Sequence, residues 1–274
     1  MRWRGRVAGL VAIVVSIVVF VVPFAFILLT AAKGRTESAL LDFSWPGQWQ
    51  LWDNIVEVVQ ARDFMLVTAF VNSTVLTVAS VTILVVLAAM VGYVLQRRPS
   101  RFTPFVNVLV LAGLIIPPAV VPTIWVLQGL ELYRTLLGLI LIEVAFGFSF
   151  SILLFRAFMS TIPREIDEAA IIDGAGPVRL FFQVVFPLLR SVIVTVIVVQ
   201  SVAIFNDFQN PLYFLPGSDN ATVQLTLYNF KSQFTTQWNL LFADILLITV
   251  PPLIMFVFFN RQIVAGLTSG AVKG

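Results

Sequence analysis

The sequence contains neither cysteine nor histidine. The first absence excludes a disulfide framework and a thiolate nucleophile. The second removes the usual general base of neutral pH and the commonest metal ligand. Much enzyme chemistry goes with them, and neither catalytic residues nor a metal site are expected. Charge is also scarce: Lys, Arg, Asp and Glu make up 11% of the 274 residues, against about a quarter in soluble domains. Too few charged side chains remain to clothe a water-facing surface. What stands in their place is apolar, 59% of the chain with 25 phenylalanines, beyond the roughly 45–50% of soluble domains. The solvent of this protein is a bilayer; membrane lipid is an expected partner and nucleic acid is not.

A helix needs about 20 apolar residues to cross a bilayer, and six stretches qualify, near 8–31, 66–95, 105–128, 136–158, 184–205 and 241–260. The first follows a basic flank of the kind that opens a signal peptide, but its apolar run of about 24 residues exceeds the roughly 7–15 of a signal core. It is expected to stay as an uncleaved helix. With the N-terminus inside and six crossings, twelve basic residues fall on the cytoplasmic side, among them Arg2, Arg4, Arg6, Arg97, Arg98 and Lys273. Five fall outside: Lys33, Arg35, Arg62, Arg134 and Lys231. That is the positive-inside bias, and the inverted topology would reverse it. Both termini are therefore expected in the cytoplasm.

The first external segment, about 32–65, carries "FSWPGQWQLWDNIVEVVQARDF", in which three tryptophans adjoin a short amphipathic helical pattern. Tryptophan favours the headgroup level, so the segment reads as a surface anchor or as a docking surface for an external partner. The loop "QRRPSRFTP" reads as a basic turn that sets orientation. Pro117, Pro118 and Pro122 in the third segment, and Pro251 and Pro252 in the sixth, remove backbone donors and are expected to break the helices there. Polar groups at depth are few: Asn72 and Ser73, Glu143, Asn206 and Asp207, and Asp244. Ionisable groups inside a membrane are costly and by default functional. Asn72, Glu143, Asn206 and Asp207 are the candidates for a translocation pathway. Glu143 is the deepest, while Asp207 and Asp244 sit near the outer surface, where water can reach them. Asn72 has an ordinary alternative as an interhelical hydrogen bond.

One block does not fit a lipid-facing chain: "REIDEAAIIDGAGPVRLFFQVVFPLLR", residues 164–190, holds four acids and three arginines. Topology puts it in the longest cytoplasmic loop, about 159–183. Pro163 suits a first helical turn, and Glu165, Asp167 and Glu168 favour the positive end of a helix dipole. Gly174 breaks the helix, and a second helical pattern starts after it. Two short helices at a glycine elbow, with little bulk at Ala169, Ala170 and Ala175, make a knob that another protein can approach closely. An interfacial hairpin tying two helices together is the plainer alternative.

The block resembles the EAA coupling loop of the membrane subunits of ABC importers: Glu168-Ala169-Ala170, then Gly174, then Phe186-Pro187 downstream. Ser191 departs from it, standing where many relatives carry a second proline. The resemblance narrows to carbohydrate-importing permeases of the maltose type, second subunit, through "FVNSTVLT", "IPPAVVPTIWVLQGLELYRTLLGLILIE", "FNDFQNPLYFL" and the tail "VAGLTSGAVKG". It implies an all-α membrane protein: one transmembrane domain over 1–274, six helices, cytoplasmic coupling helices between the fourth and fifth, and a cytoplasmic tail at about 261–274. Glu168, Ala169, Ala170, Asp173, Gly174 and Ala175 would be the ATPase-coupling residues. The implied partners are a second homologous permease, two cytoplasmic ATPase subunits, an external substrate-binding protein and a carbohydrate. No cofactor is expected on this chain, which lacks a phosphate-binding G-x-x-x-x-G-K-[ST]; ATP and magnesium would sit on the ATPases. The location implied is the inner membrane of a bacterium or archaeon. Two other classes stay open: a secondary transporter driven by an ion gradient, with Glu143 as the coupling site, and a membrane-embedded hydrolase using Ser and Lys.

Overall fold

The computed structural model describes residues 9, 11–217, 220–231 and 235–269, with side chains described as far as residue 259. Arg2, Arg4 and Arg6, and residues 270–274 of the tail, lie outside the described residues. Among the described residues the chain is helical, apart from one isolated bridge between Lys231 and Thr236. In hydrocarbon, a helix satisfies every backbone group from its own segment.

The helices are α1 (Val11–Ala32), α2 (Arg35–Ser38), α3 (Leu51–Arg97), α4 (Thr103–Ile115), α5 (Val120–Gly129) and α6 (Leu136–Met159). They continue with α7 (Glu165–Ile172), α8 (Pro177–Leu188), α9 (Arg190–Phe205), α10 (Gln209–Phe214), α11 (Val223–Thr226) and α12 (Trp238–Ser269). Within Val11–Ala32, Leu51–Arg97, Leu136–Met159 and Trp238–Phe259 the chain is long and apolar enough to cross a membrane. Two bent pairs meet the same test as pairs, α4 with α5 at 116° and α8 with α9 at 76°, giving four crossings or up to six.

The breaks have local causes. Pro117 and Pro118 fall in the gap between α4 and α5, as expected of residues without an N–H, whereas Pro122 breaks nothing and sits in the first turn of α5, where its missing donor would have no partner in the helix. The fifth apolar segment begins earlier than its hydropathy suggests, at Pro177, and turns at Leu189. A π-helical stretch, Leu180–Val185, and the donorless Pro187 precede that turn, and both are known sources of kinks. The bend forms with serine at 191. The expectation for Pro251 and Pro252 is corrected, because α12 runs through both without interruption. Two missing donors weaken a helix without ending it where no water competes for the freed carbonyls. Pro163 likewise precedes α7, which starts at Glu165.

The chain forms two compact units. One comprises the chain up to Phe70 with Thr222–Pro251. In it α1 exposes most of its apolar side chains from Val11 to Phe24, whereas Thr30, Ala31, Ala32 and Lys33 are fully buried. The Asn54 amide donates to the carbonyls of Ala31 (2.8 Å) and Lys33 (2.9 Å) and accepts from Asn239 (2.8 Å). The Lys33 ammonium bonds the Asp42 carboxylate at 2.6 Å and the Asp42 carbonyl at 2.9 Å. The ammonium's bond to the carboxylate, with one from the Ser44 hydroxyl, holds the Asp42 carboxyl down to about 2. Trp45, Trp49 and Trp52 are all exposed, as a headgroup anchor requires. Between the amphipathic start of α3 and its apolar remainder the backbone leaves the helix at residues 61–64, with positive φ at Arg62, Asp63 and Phe64.

The second unit, Val71–Ala221 with the chain from Pro252 onwards, holds the main apolar core. Leu84, Ala88, Leu139, Phe155, Leu180 and Leu189 sit at its centre, each without exposure. Within this unit α6 packs against α4, α9 and α10.

Candidate functional site

α6 is started by Thr135, whose hydroxyl accepts the Gly138 N–H at 3.0 Å, an N-cap that satisfies one of the helix's free donors. From that start Glu143, Phe146, Gly147 and Phe150 follow at spacings of three, one and three, which puts them on one face. On α9 and just past its end, Gln200, Ala203, Ile204 and Asp207 repeat the pattern. The two stripes, with Asn210, line a cleft of about 340 Å³. Gly147 permits the approach, because a Cβ there would meet Leu84 and the Gln200 amide.

Glu143 is 5% exposed. Its Oε1 accepts from the Asn210 amide at 3.2 Å, and the Asp207 carboxyl lies beside it. Asp207 also sets Asn210 in place: its Oδ1 accepts the N–H groups of Gln209 (2.8 Å) and Asn210 (3.3 Å) at the start of α10. Deeper in, the Gln200 amide donates to the Ser151 hydroxyl at 3.2 Å and the Gly147 carbonyl at 3.4 Å. The cleft is therefore a row of carboxyl and amide groups flanked by two phenylalanines.

Of the four pathway candidates, the structure brings Glu143 and Asp207 together. Asn206 is exposed and returns its amide to the Val202 carbonyl at 2.9 Å. Asn72 donates to the Ala221 carbonyl at 3.1 Å, the ordinary hydrogen-bonding role. Asp244 is not solvated but has no exposure, and accepts from the Thr226 hydroxyl at 2.8 Å. Gln200 and Asn210 are additions from the structure. Gln200 carried a signal, as an amide inside an otherwise apolar run, and Asn210 stood in the family-like "FNDFQNPLYFL".

The block at 164–190 folds as an elbow. Gly174 has φ +79°, its N–H bonds the Ile171 carbonyl (3.0 Å), and the Ala175 N–H bonds the Ala170 carbonyl (2.9 Å). This is the Schellman arrangement, in which glycine takes the left-handed position after the helix end. Ala170 and Ala175 pack on the apolar core, while Glu168, Ala169, Asp173 and Gly174 are exposed. Ile172 is 84% and Val178 72% exposed. The loop preceding the elbow is held from a distance. Arg97, buried at the end of α3, donates to the Ile162 carbonyl at 2.7 Å and stands 3.5 Å from the Asp167 carboxylate. The basic turn after α3 thus does more than orient the chain.

Comparison with known proteins covers both features. The family model of the binding-protein-dependent transport system inner membrane component matches residues 85–268, which include the cleft and the elbow. The chain belongs to this family. Among relatives of this inner membrane component, the melibiose/raffinose/stachyose import permease protein MelC of Bacillus subtilis (strain 168) is 30% identical over 261 residues, covering 92% of this chain and 91% of that protein. The diacetylchitobiose uptake system permease protein NgcG of Streptomyces coelicolor is 30% identical over 256 residues, covering 92% and 84%. Among solved structures, a chain from a bacterial ABC transporter involved in the import of the acidic polysaccharide alginate shares the fold, with a TM-score of 0.81 at 16% identity over 95% of this chain and 96% of that one.

Proposed function

We propose that this permease is the half of an ATP-driven importer's translocation path that carries the α6/α9 cleft, that its cargo is a sugar or oligosaccharide, and that the Glu168–Gly174 elbow couples it to ATPase subunits. The observation that carries this reading is an elbow with a rigid, torsionally set glycine end and an exposed apolar tip at Ile172 and Val178, joined to a helix of the cleft. Exposed apolar groups rimmed by charge suit a protein partner, and Glu168 and Asp173 supply carboxylates for that partner's cations. Relatives named for the import of melibiose, raffinose, stachyose and diacetylchitobiose support a carbohydrate cargo.

In this reading the chain crosses the inner membrane of a bacterium or archaeon six times, each bent pair counting once, with both termini in the cytoplasm. A second homologous permease completes the pathway, and an external protein delivers substrate. Two ATPases bind ATP and magnesium; this chain catalyses nothing. Closure of the ATPases moves the elbow. Ala170, Ala175 and Arg97 tie the elbow region to the core and to α3, so the displacement reaches the helices that line the cleft. Asn72 and Asn206 lie off the cleft; Asn72 bonds the Ala221 carbonyl, and Asn206 bonds back to the last turn of α9.

The test is co-purification of this chain with an ATPase, followed by uptake of labelled oligosaccharides into proteoliposomes. Uptake is expected to require ATP and to survive collapse of ion gradients. Uptake that follows an imposed ion gradient without any ATPase would support the gradient-driven alternative, with Glu143 as its ion site, and defeat the proposal.

A further inference from the structure

We infer that the cleft between α6 and α9 selects uncharged sugar units and turns acidic ones away; this rests on the importer reading and adds a charge class to it. The lining supplies acceptors at Glu143 and Asp207, and groups that both donate and accept at Gln200 and Asn210. That mixture suits hydroxyls, each of which is donor and acceptor at once. Phe146 and Phe150 offer apolar faces for the C–H faces of a sugar ring. A volume of about 340 Å³ is in the range of small-ligand pockets, roughly 300–1,000 Å³.

Among the described residues, no lysine or arginine lines the cleft. Arg190, at the start of α9, precedes Gln200 by ten residues, about 15 Å along the helix, and the two basic groups that flank the cleft residues of α6 are committed elsewhere. Arg134 donates to the Pro216 carbonyl at 3.2 Å, and Arg156 bonds Asn107 (2.7 Å) and Gln96 (3.3 Å). Arg156 follows Glu143 by 13 residues, about 20 Å along the helix. A uronate entering the cleft would exchange water for two carboxyls and no cation. Exclusion by like charge is a standard route to specificity. The alginate importer shows that this fold is compatible with an acidic cargo, so the selection lies in the lining and not in the fold.

The absence of cysteine makes the test clean. Ala203→Cys places a single thiol in this chain, on the cleft wall. In the assembled transporter its modification by a cationic and by an anionic methanethiosulfonate reagent is followed by the mass of this subunit. Each rate is taken relative to that reagent's rate with free 2-mercaptoethanol, because an attacking thiolate itself favours a cation; on that scale the cationic reagent is expected to react about tenfold faster or more, the scale of electrostatic focusing in a charged cleft. The preference should fall to about twofold or less when Glu143→Gln and Asp207→Asn are added, the field being theirs. Raffinose or maltotriose should slow the labelling, and trigalacturonate should not. Equal rates, protection by the uronate, or no protection by either neutral sugar overturns the inference while leaving ATP-driven import standing. A wild-type complex that imports no oligosaccharide on ATP overturns the importer reading instead.

Discussion

Gly174 has open space where a Cβ would go, yet its φ is +79°. Its constraint is therefore torsional, not steric. An L-residue in the left-handed region costs about 1–2 kcal/mol, and asparagine less than most. Gly174→Asn should therefore keep most transport, Gly174→Ala should lose some, and Gly174→Val, β-branched as well, should lose most. Uptake together with ATPase pull-down ranks them, and equal activity in all three would remove the elbow's glycine from the coupling mechanism. Lys33 poses a different residue-scale problem, since its fully buried side chain bonds a half-exposed Asp42. The Asp42 carboxyl sits at about 2, below its ordinary 3.8, so the pair's contribution is complete above about pH 4 and is lost as pH falls through 2. Asp42→Asn should lower the melting temperature in detergent more than Lys33→Met, because it leaves a buried ammonium without its carboxylate. The reverse order would mean that the pair holds nothing together.

At the scale of elements, Arg97 is the link worth breaking. It joins the end of α3 to the loop before α7, 65 residues away, through the Ile162 carbonyl at 2.7 Å, and to α7 itself through Asp167 at 3.5 Å. Arg97→Gln would leave the Asp167 carboxylate buried without its cation. The expected result is a rise in ATP hydrolysed per sugar imported of about tenfold, the scale expected when a buried carboxylate loses its cation, with ATPase binding retained. Adding Asp167→Asn should restore part of it. A ratio unchanged from wild type would make Arg97 a packing residue only. This link was not legible in the sequence, where an arginine at a helix end reads equally well as a topology signal. Glu143 and Asp207 were legible because a charge at depth stands out against apolar neighbours. Asn210 and Gln200 were not singled out, since an uncharged amide in a helix can bond back to its own backbone, as Asn206 does. The four long apolar helices were legible from hydropathy alone. The bends were half legible: Pro117 and Pro118 mark one, whereas Pro251 and Pro252 mark none, and the turn at Leu189 depends on a π-helical stretch that no composition rule identifies.

For the whole molecule, the open quantity is the number of crossings. Six crossings and four both return the C-terminus to the side of the N-terminus, so locating the termini does not separate them. The bent pairs do. If α4 with α5 and α8 with α9 each cross, Leu130 faces outside and Ile172 inside. If each pair dips in and returns, the two sites exchange sides while Gln48 stays outside and Ser100 inside. Inverting the entire chain moves all four. Leu130 and Ile172 are 61% and 84% exposed, and Gln48 and Ser100 are exposed as well, so each can be replaced by cysteine in a chain that has none. Labelling with a membrane-impermeant maleimide in intact cells should then modify Gln48→Cys and Leu130→Cys, and spare Ser100→Cys and Ile172→Cys until the membrane is opened. That pattern is the one the positive-inside bias requires, and it places the elbow where cytoplasmic ATPases can reach it. Modification of Ile172→Cys in intact cells would put the elbow outside and end the coupling proposal, whatever the ATPase data showed.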